Sequence, residues 1–322
     1  MSSSLLHPPS HLPPATALQH SQQAPAILDN TTGAVSTSML QSFLAASETN
    51  ELWTTYENLL LSCLRTGDDE AAHQCLGRLA NRFGDGNERV MALKGLLKEA
   101  TANDKSILDM VLQEYEDILR DNPSNLPIVK RRAALLRSMG RIPEAVNTLN
   151  SLLDVSPTDA EAWAELADVY LSQGLYSQAI FAQEEVLVLQ PNAWNIHARL
   201  GEMLLMASKT SDGPKRLAEA VKRFCRSIEL CDNYLRGYYG LKLATLRLLN
   251  ESSSKMAKQM ESDEWSLPDS RTLQKLDEFA TDKLAEIVRR NAAGERDWQG
   301  YNKAEITAAR ELLDSSSAAT VR

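Results

Sequence analysis

Beyond about residue 50 the apolar positions of the chain recur at spacings of three and four with polar residues between them, a pattern that predicts amphipathic helices. Trp163, Leu166 and Tyr170 stand at i, i+3 and i+7 and share one helix face, turned toward the core. Runs of alternating Val, Ile and Thr are few, so strands have little support. The helical stretches come in pairs separated by short turns, and the pairs repeat. Pro123, Pro157 and Pro191 are 34 residues apart, as are Gly140 and Gly174, and Ala145 and Ala179. Three residue types on one period mark a stacked array, in which a single helical hairpin cannot bury its apolar face alone.

That period and residue order match the tetratricopeptide pattern W-x2-L-G-x2-Y, A-x3-F, P. Residues 160–193 carry Trp163, Leu166, Ala167 in the small position, Tyr170, Gly174, Ala179 and Pro191, and depart from the pattern at Gln183 in the aromatic slot. Gly174 ends the first helix, Ala179 is small where two helices cross, and Pro191 stops the second helix. Residues 126–159 keep Ala133, Leu136, Gly140, Ala145, Leu149, Leu152 and Pro157 but put Val129 and Arg132 in the Trp and Leu slots. Earlier units are looser: Val111, Tyr115 and Ile118 are in register, whereas the stretch before them is displaced by extra residues near Thr101 to Lys105. Residues 53–86 fit with Tyr56, Leu59, Gly67, Ala72 and Leu76, with Gly84 in place of the proline. After Leu200 and Gly201, Ala220 and Phe224 arrive seven residues late, behind the insertion SKTSDGP, and one more first helix begins near Leu235.

The expected fold is therefore all-α, a right-handed tetratricopeptide-repeat solenoid with C-terminal capping helices. Residues 1–36, rich in Pro, Ser, Gln and His, read as a disordered tail that buries too little apolar surface to offset its ordering entropy. The array is expected over 37–260, a polar turn over 261–270, capping helices over 271–314 and a disordered terminus over 315–322.

Charge and composition narrow the function. With 34 Lys+Arg against 43 Asp+Glu the net charge is −9, which argues against nucleic acid or an anionic membrane surface as partner. Four cysteines without a CxxC pair make a disulfide framework a poor reading and point to a reducing compartment. No run reaches the ~18 apolar residues of a membrane span, and no Lys or Arg precedes Arg65 to make the basic start of a targeting signal.

Catalytic and metal patterns are incomplete. Gly84 and Gly86 in FGDGN lack the rest of a phosphate loop and read as a turn. His73 and Cys75 point to different helix faces, Cys225 and Cys231 read as buried or half-buried thiols, and no nucleophile motif is present, so the chain is expected to be neither an enzyme nor a cofactor binder. What stands out is surface. Glu161, Glu165 and Asp168 set three carboxylates on one face of a first helix, open to a basic partner segment, while Lys130 and Arg131 with Arg132 form a basic cluster one repeat earlier. The two patches either meet partners or satisfy one another, and both readings remain open. A Lys-x3-Asn clamp for acidic chaperone tails is absent, since the corresponding pairs are Lys130 with Ala134 and Ala164 with Asp168.

The segments GDDEAAHQCLGRLANRFGDGNERV, EYEDILRDNPSN, EAWAELADVYLSQGLYSQAIFAQEEVLVLQPN and LGEMLLMAS, followed by RFCRSIELCDNYLRGYYGL, resemble the family of subunit two of the endoplasmic-reticulum membrane protein complex, over roughly residues 50 to 250. The resemblance implies a non-catalytic scaffold that is peripheral on the cytosolic face of the endoplasmic reticulum and bridges membrane-embedded and cytosolic subunits. The complex of that family inserts tail-anchored and multipass membrane proteins. The alternative from the residues alone is a free-standing adaptor that takes one peptide segment in its concave groove.

Overall fold

The computed structural model describes residues 3–8, 12–30, 50–209, 213–252 and 268–320, and the regular elements among them are all helical. They fall into two compact units, one up to Leu152 and one from Leu153.

The first unit contains α1 (Ser3–Leu6), α2 (Pro14–Gln22), α3 (Ala24–Asn30), α4 (Asn50–Thr66), α5 (Asp69–Phe83), α6 (Glu88–Ala100), α7 (Lys105–Asp121), α8 (Leu126–Ser138) and most of α9 (Ile142–Val155). α4 packs on α5 and α6 on α7, with α8 against both α6 and α7. The extra residues near Thr101 are the turn between α6 and α7, closed by Asp104, whose carboxylate accepts the Ile107 N–H at 3.0 Å.

Residues 3–30 correct the expectation of a disordered tail. Leu5, Ala24 and Leu28 are buried in one cluster with Tyr56, Leu59 and Leu60 of α4 and Ala72, Cys75 and Leu76 of α5. The backbone is tied down as well: the Leu5 carbonyl accepts from Asn58 Nδ2 at 2.8 Å and the Leu28 carbonyl from Arg78 Nη2 at 2.7 Å. The composition argument fails here because the segment need not build a core of its own; a few apolar side chains dock on an apolar face that α4 and α5 already present. Residues 31–36 lie outside the described residues, as do 37–49 at the expected start of the array.

The second unit contains α10 (Ala160–Ser172), α11 (Tyr176–Leu189), α12 (Trp194–Ala207), α13 (Gly213–Leu230), α14 (Leu235–Ser252), α15 (Ser270–Ala292), a 3-10 turn (Arg296–Trp298) and α16 (Lys303–Thr320). From α10 to α15 each helix packs on the next, apart from the chain-remote contact of α12 with α14. Hairpin turns follow glycine chemistry. Gly140 (φ 76°) and Gly174 (φ 72°) adopt the left-handed region, letting the Arg141 and Leu175 N–H groups reach back to the Leu136 and Tyr170 carbonyls at 2.9 and 3.0 Å. Ala145 and Ala179 are fully buried and Leu166 nearly so.

One contact repeats along the array. Trp163 Nε1 donates to the Pro157 carbonyl at 2.9 Å, His197 Nε2 meets the Pro191 carbonyl at 3.0 Å, and Tyr238 Oη donates to the Asp232 carbonyl at 2.8 Å. The last set lies seven residues beyond the 34-residue period, so the insertion falls between α12 and α13. Trp163 and Tyr170 are half-buried, not enclosed.

The C-terminal region differs from simple capping. α15 pairs with α14 as its second helix, and the helix that closes the unit is α16, which contacts both and runs on to Thr320 where a disordered terminus was expected. Leu273, Ala280, Leu284 and Ile287 of α15 and Ile306 and Ala309 of α16 are buried in one cluster with Leu241, Ala244 and Leu248 of α14. A polar pairing invisible to an apolar period joins them: buried Lys242 on α14 donates to Asp277 Oδ2 on α15 at 2.8 Å, and the Thr245 hydroxyl lies 3.0 Å from Asp277 Oδ1. Of the polar turn at 261–270, residues up to 267 lie outside the described residues, and Asp269 caps α15 through the Thr272 N–H at 3.1 Å.

Candidate functional site

First helices line the inner side of a tetratricopeptide stack, and in the second unit these are α10, α12 and α14. Glu161, Glu165 and Asp168 lie along α10, Glu161 exposed and the other two half-buried. Asp168 accepts from Arg199 Nη2 on α12 at 2.9 Å, and Arg199 Nη1 also donates to Glu202 at 3.1 Å. One helix further, Arg236 Nε on α14 donates to Glu305 Oε1 on α16 at 2.8 Å. Such solvent-facing pairs are worth about 0–1 kcal/mol each. An incoming charge can therefore exchange them at low cost.

Behind this charged rim lies a cavity of about 420 Å³ between α12, α14 and α16, floored by Leu205, Met206, Phe224, Tyr239, Leu243 and Ala308. Phe224 is its deepest member and is fully buried. It fits because Gly201 and Gly240 flank it: a Cβ would stand 2.8 Å from the ring at Gly201 and 2.1 Å at Gly240. An apolar floor with charges at its edge suits a helical or extended segment carrying apolar side chains.

The basic cluster on α8 is engaged within its own unit. Arg131 Nε donates to Glu99 Oε1 at 3.2 Å, and Tyr115 Oη donates to the same carboxylate. Burial and that carboxylate hold the Tyr115 phenol well above its ordinary pKa. Arg132 pairs with Glu116 at 3.2 Å and donates to Thr148 Oγ1, with Lys130 half-buried beside them. Thus Asp168 and Arg131 each have a partner inside their own unit, Arg199 and Glu99 respectively. The cavity under α16 escaped sequence reasoning, since α16 comes from beyond the region where the period is visible; the small residues Gly201 and Gly240 around Phe224 were its signal.

Three of the four cysteines are held as thiols by burial. Burial pushes the Cys63 and Cys225 thiols up to about 11 and Cys75 up to about 12, so they stay protonated at neutral pH. Among the described residues no group of three His, Cys, Asp or Glu is placed to hold a metal ion, and no helix is long and apolar enough to cross a membrane. Gly84 (φ 85°) sits in the turn from α5 to α6, where Asn87 caps α6.

Residues 87–211 match a model of the EMC2 TPR-like repeat domain. The chain is 33% identical over 238 residues to TPR repeat protein oca3 of Schizosaccharomyces pombe, covering 73% of this chain and 82% of that protein. It is 31% identical over 211 residues to ER membrane protein complex subunit 2 of Xenopus tropicalis, covering 65% and 68% respectively. It is 25% identical over 190 residues to the subunit of the same name from Saccharomyces cerevisiae, covering 56% and 65%.

Proposed function

The chain belongs to the tetratricopeptide-repeat family of endoplasmic-reticulum membrane protein complex subunit 2, and from that premise we propose that it is a non-catalytic scaffold subunit of such a complex. In this reading it sits peripherally on the cytosolic face of the endoplasmic reticulum, holds membrane-embedded and cytosolic subunits together, and so supports insertion of tail-anchored and multipass membrane proteins. The observation that carries the reading is the groove of the second unit, an apolar floor of about 420 Å³ rimmed by exchangeable ion pairs, on a chain of helical hairpins. Such a surface binds a segment of another protein; nothing in its chemistry calls for a reaction.

The acidic stripe Glu161, Glu165 and Asp168 then flanks the route into the groove, with Arg199 as the cation that Asp168 exchanges for a basic partner residue. Two variants of the full chain, expressed in cells lacking it and purified in mild detergent, test this. Met206→Glu with Tyr239→Glu puts charge on the floor and is expected to abolish co-purification of membrane subunits while leaving far-UV circular dichroism unchanged. Charge reversal at the three acidic positions is expected to weaken it. Full recovery of the same subunits with the floor variant would overturn the groove as their docking site. Normal membrane-protein insertion and normal partner levels in cells lacking the chain would overturn the scaffold reading and leave a free adaptor.

A further inference from the structure

A second cavity, of about 320 Å³, opens in the first unit between α7, α8 and α9. Its position is explained by what the repeat lacks. Val129 on α8 and Asn147 on α9 stand 34 residues before Trp163 and Phe181, whose rings meet edge to face at 6.0 Å in the next repeat. With Val and Asn in those slots the repeat supplies neither ring, and both residues line the cavity instead.

We propose that this cavity is an anchor pocket for one aromatic side chain of the indole class, presented by a partner segment; the partner's being a subunit of the complex rests on the scaffold reading above. Leu119 and Val129 give the ring an apolar floor. Arg132 forms a wall, its guanidinium fixed by Glu116 at 3.2 Å and by Thr148 Oγ1, so a cation is already held in place for a ring face without further ordering cost. Acceptors for a ring N–H stand at the rim in the exposed Asn147 and Ser151 side chains, beside the Glu144 carboxylate, which already accepts from Arg141 Nε at 2.6 Å and Nη2 at 2.5 Å. In the next repeat the indole N–H of Trp163 is satisfied by the Pro157 carbonyl; the corresponding Pro123 carbonyl receives no such bond, because Val129 has no donor. A fixed cation beside a carboxylate matches an indole, electron-rich on its face and donating at its edge, better than an aliphatic chain, which uses neither.

The test begins with the full chain alone, isotope-labelled and titrated with N-acetyl-tryptophanamide. Saturable amide shifts are expected at Val129, Asn147 and Ser151, with N-acetyl-leucinamide weaker by about tenfold or more, a difference of ~1.4 kcal/mol. Val129→Trp and Asn147→Phe each restore a ring the next repeat carries, and each is expected to weaken the tryptophanamide by a similar factor. Absence of saturable shifts, an equal response to leucinamide, or unchanged binding in both variants would overturn the pocket. Because this titration needs no complex, it stands or falls separately from the scaffold reading. In cells, Val129→Trp is expected to reduce one co-purifying partner while those lost with the groove variant remain. A full set of partners with that variant would overturn the assignment of the ring to a subunit.

Discussion

Asp277→Ala is the sharpest test of how the second unit is closed. Lys242 lies 41 residues after Gly201, in the slot that Ala133, Ala167 and Gly201 keep small, and its side chain is 4% exposed. An ammonium at that depth is tolerable because Asp277 stands 2.8 Å away. Removing one partner of a buried pair costs about 3–5 kcal/mol, since the remaining charge is left desolvated and alone. Asp277 is itself 18% exposed, so water can reach Lys242 once the carboxylate is gone, which places the expected loss near the lower end, about 3 kcal/mol. Thr245 adds little to that sum, because its single O–H has the Leu241 and Lys242 carbonyls, at 3.0 Å each, as alternative acceptors to Asp277.

Replacing both partners by apolar residues, Lys242→Met with Asp277→Leu, removes the pair without stranding a charge and is expected to lie within about 1 kcal/mol of the parent. Thermal melts followed by circular dichroism read the difference, at about 2–4 °C per kcal/mol for a unit of this size. Hydrogen exchange locates it, with the earliest loss of protection expected in α14 and α15. A single variant within 1 kcal/mol of the parent, or a double variant as damaging as the single, would refute the claim that this pair holds the last hairpin.

Trp163→Ala is expected to cost about 1–3 kcal/mol in urea melts, below the 3–5 of a fully enclosed ring, because the residue is half-buried; Trp163→Phe, which forfeits the bond to the Pro157 carbonyl, is expected to cost about 1. Burial lowers the pKa of His197 and of His20 below 6.5, so the folded state binds fewer protons than the unfolded chain; their contribution is present above pH 6.5 and lost as pH falls below it through the folded values. His197→Tyr keeps a donor for the Pro191 carbonyl, as Tyr238 does for Asp232, and is expected to flatten the fall in stability as pH drops below 6.5. Deleting residues 1–30 uncovers part of the α4–α5 face and is expected to destabilise the first unit by about 3 kcal/mol or more, from the loss of Leu5 and Leu28 burial alone, with faster cleavage there by protease as the readout.

What could be read from the residues follows from which of them are constrained by backbone geometry. Gly140 and Gly174 need a left-handed turn, Ala145 and Ala179 need close helix crossing, and the prolines need a helix end, so each shows in one-dimensional order and together they set the period. Even the insertion was visible, through the late arrival of Ala220 and Phe224. Charge is different. Arg131 and Asp168 find their partners 32 and 31 residues away, on the neighbouring first helix, and a charged residue looks the same in sequence whether it faces water or an ion of the next repeat. The N-terminal segment failed for a related reason: its few apolar residues carry no period, and what orders them is a surface formed elsewhere.

A regular repeat is self-sufficient, because each hairpin supplies the side chains its neighbour needs. Specificity for another protein then falls to the slots where the pattern is broken. Val129 and Asn147 leave rings missing and a cavity in their place, whereas Lys242 puts a charge where a small residue belongs and requires Asp277 to answer it. The first departure is open to a partner and the second is closed by the chain itself. Degeneracy in a tetratricopeptide array is thus two physical situations, distinguished by whether the missing or excess group is compensated within the same chain.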